Sequence, residues 1–600
     1  MCGVFAYMGK NDSTAKVVAG LQRLEYRGYD SWGVAFPLNQ KIEMFKSLEP
    51  LQQADSAPLN FEVSIALGHT RWATHGEVNI TNCHPHVSSN GDFALVHNGI
   101  VENFQDLKSS LLASSVKFAS DTDSEVVVRL IEQQLKIISS NNPPSVANYQ
   151  TAFEQVFKKL KGCNTLVLIC AKLELLIGIR NGSPLIAGKN SLNNQNEYFL
   201  ASDYFSFAEF TSQCLLIDEL QMVTCQNEYI ELYDLKSQQS IEPHWQILQN
   251  DNVEQSKQGF EHYMLKEISE QWQTITNASN VYPAEIGDLV TTMTQAKNIY
   301  LTGAGAAYFI AEQIAFLLRQ HSELNIISVP AYEASNHLPQ MQTNDVLIAI
   351  SQSGETADTL RFIQQAKGKG VLIASVVNMP GAMMTRLSDF KIFSQAGAEI
   401  CVLSTKTSSA QLTFGYLLAN RLMDQFTPAK QAIEKLIQPL PNYFNHDSLQ
   451  DFIELASKIK GDHLYLLGQG KFLGSAKIGA LNIKEASYIH AEAFSAGELK
   501  HGVIALIEKG TPVICFVDDD NQDYMISIAS EVKARGGLII GICQTPNPIF
   551  DHVITLPSAD NQSSIITSII PCQILAYYLA TQRGLNPDKP RNLAKSVTVI

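Results

Sequence analysis

The stretch IYLTGAG at residues 299–305 recurs as LYLLGQG at residues 464–470, and residues 371–377 (VLIASVV) match residues 538–544 (LIIGICQ). The first pair lies 165 residues apart and the second 167, a spacing close to the size of one domain. Each copy alternates β-branched strands with helical patterns, which is typical of a parallel sheet. The sequence therefore predicts two consecutive α/β domains, each built on a doubly wound parallel sheet.

Polar residues follow the predicted strand that ends at Ile350 in the first copy. The stretch SQSGET at residues 351–356 stands between that strand and a predicted helix, so its hydroxyls and backbone N–H groups form a ready anion site. A Ser/Thr-rich N-cap without a ligand would show the same pattern. Gly303 and Gly305 begin a dinucleotide-binding fingerprint, but Tyr308 occupies the place of the third glycine, so we expect no nicotinamide cofactor.

Length and composition indicate a multidomain cytoplasmic protein. The 600 residues exceed what one hydrophobic core holds, and 45% hydrophobic with 17% charged content is ordinary for a globular enzyme. The net charge of −15 argues against general nucleic-acid binding. The ten cysteines include no CxxC pair, so we expect neither a disulfide framework nor a zinc site. We also expect no secretory signal, and the uncharged residues 561–582 predict a buried helix rather than a membrane span.

The chain begins MCGVFA at residues 1–6. Removal of the initiator methionine would leave Cys2 with a free α-amine, whose reference pKa is about 7.7–8.0, beside a thiol of about 8.5. One residue would then supply both nucleophile and base. Taken alone, Cys2 is more simply explained as the start of a buried strand over residues 4–7.

Up to about residue 240, short hydrophobic strands alternate with polar turns and three helical patterns, which predicts a layered α+β domain. Three polar stretches stand at predicted strand ends or in loops, where a scaffold usually presents chemistry. They are YRGYDS at 26–31, GHTRWATHG at 68–76 and HNGIVEN at 97–103. Each has a structural explanation by itself, since Asn98-Gly99 is a common turn pair and Arg71 suits a surface ion pair.

Together, behind an N-terminal Cys-Gly, these stretches resemble those of class II glutamine amidotransferases, over residues 1–240. The resemblance implies an N-terminal-nucleophile (Ntn) hydrolase fold with αββα layers. It implies that Cys2 attacks the amide of L-glutamine and forms a thioester, while the Asn98 side chain and the Gly99 N–H form the oxyanion hole. Arg71 would bind the α-carboxylate and Asp123 the α-ammonium group. The remaining residues to which the resemblance assigns this pocket are Thr74 and His75, with Trp72 as the gate of an ammonia channel.

The rest of the chain resembles the glutamine–fructose-6-phosphate aminotransferase family. Residues 241–285 resemble its linker, residues 286–435 and 450–590 its two sugar isomerase (SIS) domains, and residues 591–600 its catalytic tail. The positions that the resemblance assigns to sugar-phosphate binding are Ser351, Gln352, Ser353, Thr356, Val402 and Ser404. It implies no metal and no organic cofactor.

The resemblance also implies isomerase chemistry near the end of the chain. Lys595 would form a Schiff base with the keto group of fructose 6-phosphate, and Glu485, on a predicted helix over residues 482–492, would move a proton between C1 and C2. His501 would assist ring opening from the neighbouring subunit, which implies a homodimer. The tail would help to wall the ammonia channel.

Three departures from the family pattern surround the sugar. Ala306 and Ala307 replace a Thr-Ser pair, and the family's acidic-aromatic-basic stretch is altered at residues 332–335. Asn482 replaces a lysine, although an amide cannot act as a cation or a useful base. Three hypotheses follow. The first is synthesis of glucosamine 6-phosphate and glutamate from fructose 6-phosphate and glutamine, the first step towards UDP-GlcNAc. The second is amination of another phosphorylated ketose, and the third is a sugar-phosphate-binding regulator with a decayed isomerase site.

Overall fold

The computed structural model describes residues 2–9, 12–51, 61–73, 75–140, 142–192, 195–226, 229–247, 257–280, 283–557, 559–560 and 562–598. Thr74, which the sequence places in the glutamine pocket, lies outside the described residues. The chain divides into two compact units, one of Met1–Val253 with Ala594–Ile600 and one of Glu254–Leu593. The last residues of the chain, including Lys595, therefore belong to the first unit.

The first unit contains two antiparallel sheets. Its strands are β1 Gly3–Met8, β2 Ser31–Leu38, β3 Lys41–Ser47, β4 Ile65–Arg71, β5 His86–Val87, β6 Phe93–Gly99, β7 Asn164–Cys170, β8 Leu175–Arg180, β9 Ile186–Leu192, β10 Gln195–Ala201, β11 Gln213–Leu216, β12 Gln221–Gln226, β13 Tyr229–Asp234, β14 Gln239–Ile241 and β15 Gln246–Ile247. Its helices are α1 Ser13–Leu24, α2 Phe104–Ala113, α3 Asp123–Ser139 and α4 Val146–Phe157. The strand orders are β15-β11-β9-β10-β1-β4-β2-β3 and β14-β13-β12-β8-β7-β6-β5.

The central strands of both sheets are buried on both faces, which explains their continuous hydrophobic runs. In β1, Val4, Ala6 and Met8 join a core shared with β6 and β7 of the other sheet, while Phe5 and Tyr7 pack towards α1. Strand β6 alternates in the same way between that shared core and a core formed with α3 and α4. Because successive side chains point to opposite faces, most positions of each central strand need apolar residues. The polar residues that the sequence singled out lie just before β1 and at the ends of β4 and β6.

The second unit contains two parallel sheets surrounded by helices. Its strands are β16 Ile299–Gly303, β17 Ile326–Pro330, β18 Val346–Ile350, β19 Leu372–Val377, β20 Phe390–Phe393, β21 His463–Gly468, β22 His490–Ser495, β23 Pro512–Phe516, β24 Leu538–Cys543 and β25 His552–Thr555. Its helices are α5 Tyr263–Ser269, α6 Gln271–Ser279, α7 Pro283–Gln295, α8 Ala306–Gln320, α9 Ala357–Lys367, α10 Met383–Leu387, α11 Lys406–Leu422, α12 Phe426–Ile437, α13 Leu440–Tyr443, α14 His446–Lys458, α15 Leu473–Ser487, α16 Gln522–Lys533, α17 Ser564–Thr567 and α18 Ile570–Gln582.

The two parallel sheets repeat one topology. Their strand orders are β17-β16-β18-β19-β20 and β22-β21-β23-β24-β25. In each sheet the first strand of the repeat, β16 or β21, therefore lies between the second strand and the third strand of that repeat. All neighbouring pairs are parallel. The predicted pair of doubly wound sheets is confirmed. In this topology the crevice between the first and third strands, at their carboxyl ends, is where ligands bind.

Two sequence predictions about helices have different outcomes. The helix predicted over residues 482–492 is wrong in its extent, because α15 ends at Ser487. Tyr488 takes a left-handed conformation, with φ of 59°, and β22 then pairs with β21. The second prediction is the buried helix over the uncharged residues 561–582. Among the described residues, one segment, Ser564–Gln582, is long and apolar enough to cross a membrane, and 89% of its apolar window is buried inside the protein, as predicted.

Candidate functional site

Cys2 stands immediately before β1, whose first residue pairs with β4. Its Sγ accepts a hydrogen bond from the Trp72 N–H at 3.2 Å and lies 3.5 Å from the Trp72 carbonyl oxygen. Burial raises the pKa of the Cys2 thiol, while the chain's terminal ammonium, the Trp72 N–H and the Arg71 guanidinium oppose that rise. The thiol is therefore protonated at neutral pH in this structure, and it must lose its proton to a base before it can attack.

Asn98 and Gly99 end β6 beside Cys2. The Asn98 Nδ2 donates to the Cys2 carbonyl oxygen at 2.9 Å and to the Ser202 Oγ at 3.2 Å. Gly99 has a φ of 146°, and a Cβ at this position would lie 2.0 Å from the Cys163 carbonyl oxygen, so only glycine fits. The strand end thus presents a side-chain amide and a glycine backbone beside the thiol.

Arg71 ends β4 and is 4% exposed. Its guanidinium donates to the carbonyl oxygens of His75, of Gly76 at 3.4 Å and of Glu77 at 3.5 Å. The His75 ring packs edge-on against Phe104, with centroids 5.1 Å apart. Neutral carbonyls are weaker partners for a guanidinium than a carboxylate is, so Arg71 can exchange them for a carboxylate ligand.

Asp123 is the first residue of α3, a helix whose N-cap is Thr122. Its Oδ2 accepts a hydrogen bond from the Val101 N–H at 2.9 Å and lies 3.9 Å from the His97 Nδ1. A carboxylate is stabilised at a helix N-terminus by the helix dipole and the free N–H groups. Asp123 is 4% exposed, so its carboxyl group is buried at a place where it can receive a cationic group.

All the described residues that the sequence assigned to glutamine line one cavity, which we call the Cys2 cavity. Its lining includes Cys2, Arg71, Trp72, His75, Asn98, Gly99 and Asp123. Its volume is about 30 Å³, room for one water molecule, so the cavity is closed in this structure. Ser183 and Thr598 close another side, with their hydroxyl oxygens 3.1 Å apart.

The second polar region is the stretch 351–356 between β18 and α9, which we call the 351–356 loop. The Ser351 Oγ accepts from the Gly354 N–H at 2.9 Å, and the Ser353 Oγ accepts from the Glu355 N–H at 3.2 Å. Gln352 is half-buried, and Thr356 is the N-cap of α9. The loop lies at the carboxyl end of β18, next to β16, which is the ligand crevice of a doubly wound sheet.

A second loop in this domain, between β20 and α11, contains Val402 and Ser404. Two buried carboxylates hold it. Glu399 accepts from the N–H groups of Thr405 and Thr407, each at 3.0 Å. Glu267 of α5 accepts from the N–H groups of Ile400 and Cys401. Val402 is 8% exposed and the Ser404 Oγ accepts from Ser408 at 3.0 Å.

The predicted isomerase residues belong to different units. Glu485 lies half-buried on α15, and the exposed His501 ends a short 3-10 helix, Ala496–His501, both in the second unit. Lys595 is half-buried and belongs to the first unit. Asn482 is fully buried, and neither atom of its amide has a hydrogen-bond partner among the described residues. Within the same part of the chain, no group of three or more His, Cys, Asp or Glu side chains is placed to hold a metal ion.

Comparisons with known proteins identify the family of this chain. The profile of the glutamine amidotransferase domain matches residues 43–138, and that of the SIS domain matches residues 292–421 and 459–583. Over the full length of both chains, the sequence is 38% identical to the glutamine–fructose-6-phosphate aminotransferase (isomerizing) of Pyrococcus horikoshii and 36% identical to that of Thermococcus kodakarensis. The chain belongs to this aminotransferase family. The structure of tagatose-6-phosphate ketose/aldose isomerase from Escherichia coli matches 56% of this chain and 98% of its own, with a TM-score of 0.50 and 17% identity, which shows a shared fold.

Sequence reasoning assigned no role to several residues in and around the Cys2 cavity. Ser202 and His69 bond the Asn98 amide from outside the lining, and Ser183 and Thr598 are among the residues that line the cavity. Serines and threonines of this kind carry no local pattern. His69, by contrast, stands two residues before Arg71 in one of the polar stretches, so its position was a usable signal.

Proposed function

We propose that the protein is a glutamine–fructose-6-phosphate aminotransferase that makes glucosamine 6-phosphate and L-glutamate, the first step of amino sugar biosynthesis towards UDP-GlcNAc. The observation that carries this proposal is the Cys2 cavity, in which a thiol, a side-chain amide, a guanidinium and a carboxylate meet. Identity over the full length to aminotransferases of this name supports the sugar acceptor. We further propose that the first unit is an Ntn hydrolase domain, supported by its two sheets with a shared core and helices packed outside.

Glutamine hydrolysis follows from the groups around Cys2. The Arg71 guanidinium binds the α-carboxylate of L-glutamine and Asp123 its α-ammonium group, with His75 and Thr74 completing the pocket. The α-amine of Cys2 takes the thiol proton, and Sγ attacks the amide carbon. The Asn98 Nδ2 and the Gly99 N–H bind the oxyanion, ammonia leaves, and water hydrolyses the thioester. The cavity must enlarge to admit glutamine, because its present volume is about 30 Å³.

The second half of the reaction belongs to the SIS domains. The 351–356 loop binds the phosphate through Ser351, Gln352, Ser353 and Thr356, and Val402 and Ser404 contact the sugar. Lys595 forms an imine with C2 of fructose 6-phosphate. Ammonia replaces the lysine nitrogen at C2 and frees Lys595. Glu485 then moves a proton from C1 to C2 while the C1 hydroxyl proton passes to the nitrogen, so that C1 becomes an aldehyde and C2 carries the amine. His501 of the neighbouring subunit assists ring opening, which makes the protein a homodimer, and Trp72 gates the ammonia path.

The decisive assay supplies purified protein with L-glutamine and fructose 6-phosphate and measures glutamate and glucosamine 6-phosphate. We expect both products in equal amounts. Release of glutamate without the amino sugar would contradict fructose 6-phosphate as the acceptor. If the protein makes neither product but still binds sugar phosphates, it is a regulator instead of an enzyme.

One observation favours a second candidate, a related enzyme that aminates another phosphorylated ketose. Asn482 is buried, and its amide has no hydrogen-bond partner among the described residues. In addition, Ala306 and Ala307 begin α8 directly after Gly305, at the carboxyl end of β16. A buried amide without partners costs free energy that a substrate hydroxyl can recover. Comparing kcat/KM for fructose 6-phosphate and its C3 and C4 epimers decides between the two acceptors.

A further inference from the structure

The Asn98 amide can serve an oxyanion in only one of its two orientations. As placed, Nδ2 donates to the Cys2 carbonyl oxygen and to Ser202, while Oδ1 lies 3.0 Å from the Nε2 of His69. A half-turn of the amide would set Oδ1 against the Cys2 carbonyl oxygen. Two acceptors would then face each other, and an oxyanion formed beside Cys2 would meet a lone pair instead of an N–H.

We propose that His69 is a positioning residue for glutamine hydrolysis, which holds the Asn98 amide in its catalytic orientation by donating its Nε2–H to Oδ1. The two residues lie on β4 and β6, which belong to different sheets, so the bond joins the sheets directly behind Cys2. His69 is fully buried and Asn98 is 2% exposed, so water cannot replace the bond. The inference rests on the proposed hydrolysis of glutamine by Cys2.

The tautomer of His69 follows from its surroundings. An amide oxygen can only accept, so Nε2 must carry the proton and Nδ1 must carry a lone pair. The Nδ1 is buried and has no hydrogen-bond partner among the described residues. Switching the tautomer would set two lone pairs, on Nε2 and on the Asn98 Oδ1, 3.0 Å apart in a buried place, which is costly. The contact with Oδ1 thus fixes Nε2 as a donor, and Nε2 in turn holds the Asn98 amide.

Burial keeps the His69 ring neutral. Burial, with smaller contributions from the Arg71 guanidinium and the His97 ring, lowers the pKa of His69 to about 3, while hydrogen bonds to the Asn98 side chain and the His97 backbone oppose the change. The His84 ring lies 4.3 Å from the His69 ring, and the His86 ring lies 4.8 Å beyond it. Burial also lowers the pKa of both these histidines. The three neighbouring histidines of this row, His69, His84 and His86, are therefore uncharged at neutral pH. His69 acts as a fixed neutral donor rather than an acid.

The test compares three substitutions of His69. In His69→Gln, the side-chain amide nitrogen reaches the place of Nε2, so the donor to Asn98 remains. In His69→Asn the amide is the same but too short, and in His69→Phe the ring remains without a donor. We expect kcat for glutamine hydrolysis to fall about 10- to 100-fold in the Phe and Asn variants, below the 100- to 1,000-fold typical of losing an oxyanion donor outright. KM for glutamine should stay within about threefold, and His69→Gln should recover most of kcat.

A double-mutant cycle separates positioning from general packing. If His69 acts through Asn98, His69→Phe should cause little further loss in an Asn98→Ala background. His86→Phe is the matched control, since it removes a buried histidine of the same row that does not contact Asn98, and its loss of kcat should be clearly smaller. Equal losses in the two Phe variants, additive effects in the cycle, or equal activity of the Gln and Asn variants would overturn the proposal.

The proposed function can fail separately. If the wild-type protein releases no glutamate from glutamine, the glutaminase assignment itself fails. If the wild type is active and His69→Phe is equally active, only the positioning role fails. Should the Phe variant not fold, the Gln and Asn variants decide, because they differ only in the reach of one amide.

Discussion

The Cys2 cavity and the 351–356 loop differ in what their polar groups bond in this structure. In the Cys2 cavity, the Cys2 thiol is bonded to backbone groups of Trp72, and the Arg71 guanidinium to the carbonyl oxygens of His75, Gly76 and Glu77, where a substrate would have to bind. In the 351–356 loop, the Ser351 and Ser353 hydroxyls accept from the loop's own N–H groups, and the loop at Val402 is fixed by two buried carboxylates. The first site must exchange bonds to bind substrate, whereas the second keeps its framework.

This difference has an energetic consequence. A site that opens by breaking internal hydrogen bonds binds its ligand with reduced apparent affinity, because part of the binding free energy drives the opening. A preformed loop keeps its full affinity. We therefore expect substitutions in the Cys2 cavity to act on glutamine alone, and substitutions in the 351–356 loop to act on the sugar alone.

The largest expected effect is the loss of the nucleophile. Cys2→Ala removes the only proposed site of the thioester, so kcat for glutamine hydrolysis should fall by about 10⁴-fold or more. Synthesis from ammonia and isomerisation of the sugar should persist, because they depend on Lys595 and the SIS domains and not on the Cys2 thiol. Both activities are measured with purified protein, and Cys214→Ala, which removes a buried thiol of the same unit, is the matched control. Normal glutamate release by the Cys2 variant would refute the proposed nucleophile.

The next effect concerns Lys595, whose loss should separate the two activities in the opposite direction. Lys595→Ala removes the proposed imine, so amination of fructose 6-phosphate should fall about 10³-fold or more while glutamate release continues. Borohydride reduction in the presence of fructose 6-phosphate should label Lys595 in the wild type, detected by mass spectrometry. Lys509→Ala, at an exposed position, serves as the control. A label on another lysine would remove Lys595 from this role.

The sequence predicted the parallel sheets because buried strands are continuous hydrophobic runs that repeat with the domain. It predicted the residues around Cys2 because they cluster at the ends of two strands, β4 and β6. It could not predict the bond between Ser183 and Thr598, which are 415 positions apart, since only the packing of the folded unit brings them together. The extent of α15 was missed for a different reason, because a left-handed Tyr488 leaves no mark in the hydrophobic pattern.

A smaller effect should come from Arg71→Lys, which keeps the charge but loses the paired donors of the guanidinium. Lysine cannot bind both oxygens of the α-carboxylate at once, so KM for glutamine should rise about 10- to 100-fold, with kcat changed less. KM for fructose 6-phosphate should not change. Steady-state kinetics with each substrate varied in turn provides the measurement. A parallel rise in both KM values would show that the variant disturbs the fold instead of one pocket.

The smallest effect tests the 351–356 loop against its counterpart in the second repeat. Ser353 is the third residue after β18, and Asp519 is the third residue after β23, so the two occupy equivalent places at the carboxyl ends of equivalent strands. Removing one hydrogen bond to a phosphate costs about 1.5–3 kcal/mol, so Ser353→Ala should raise KM for fructose 6-phosphate about 10-fold or more. Asp519→Ala should leave that KM unchanged, because a carboxylate repels phosphate and cannot serve as its site. Equal effects of both substitutions on KM would contradict this prediction. They would mean that both repeats bind the sugar phosphate, so that the 351–356 loop is not its only site.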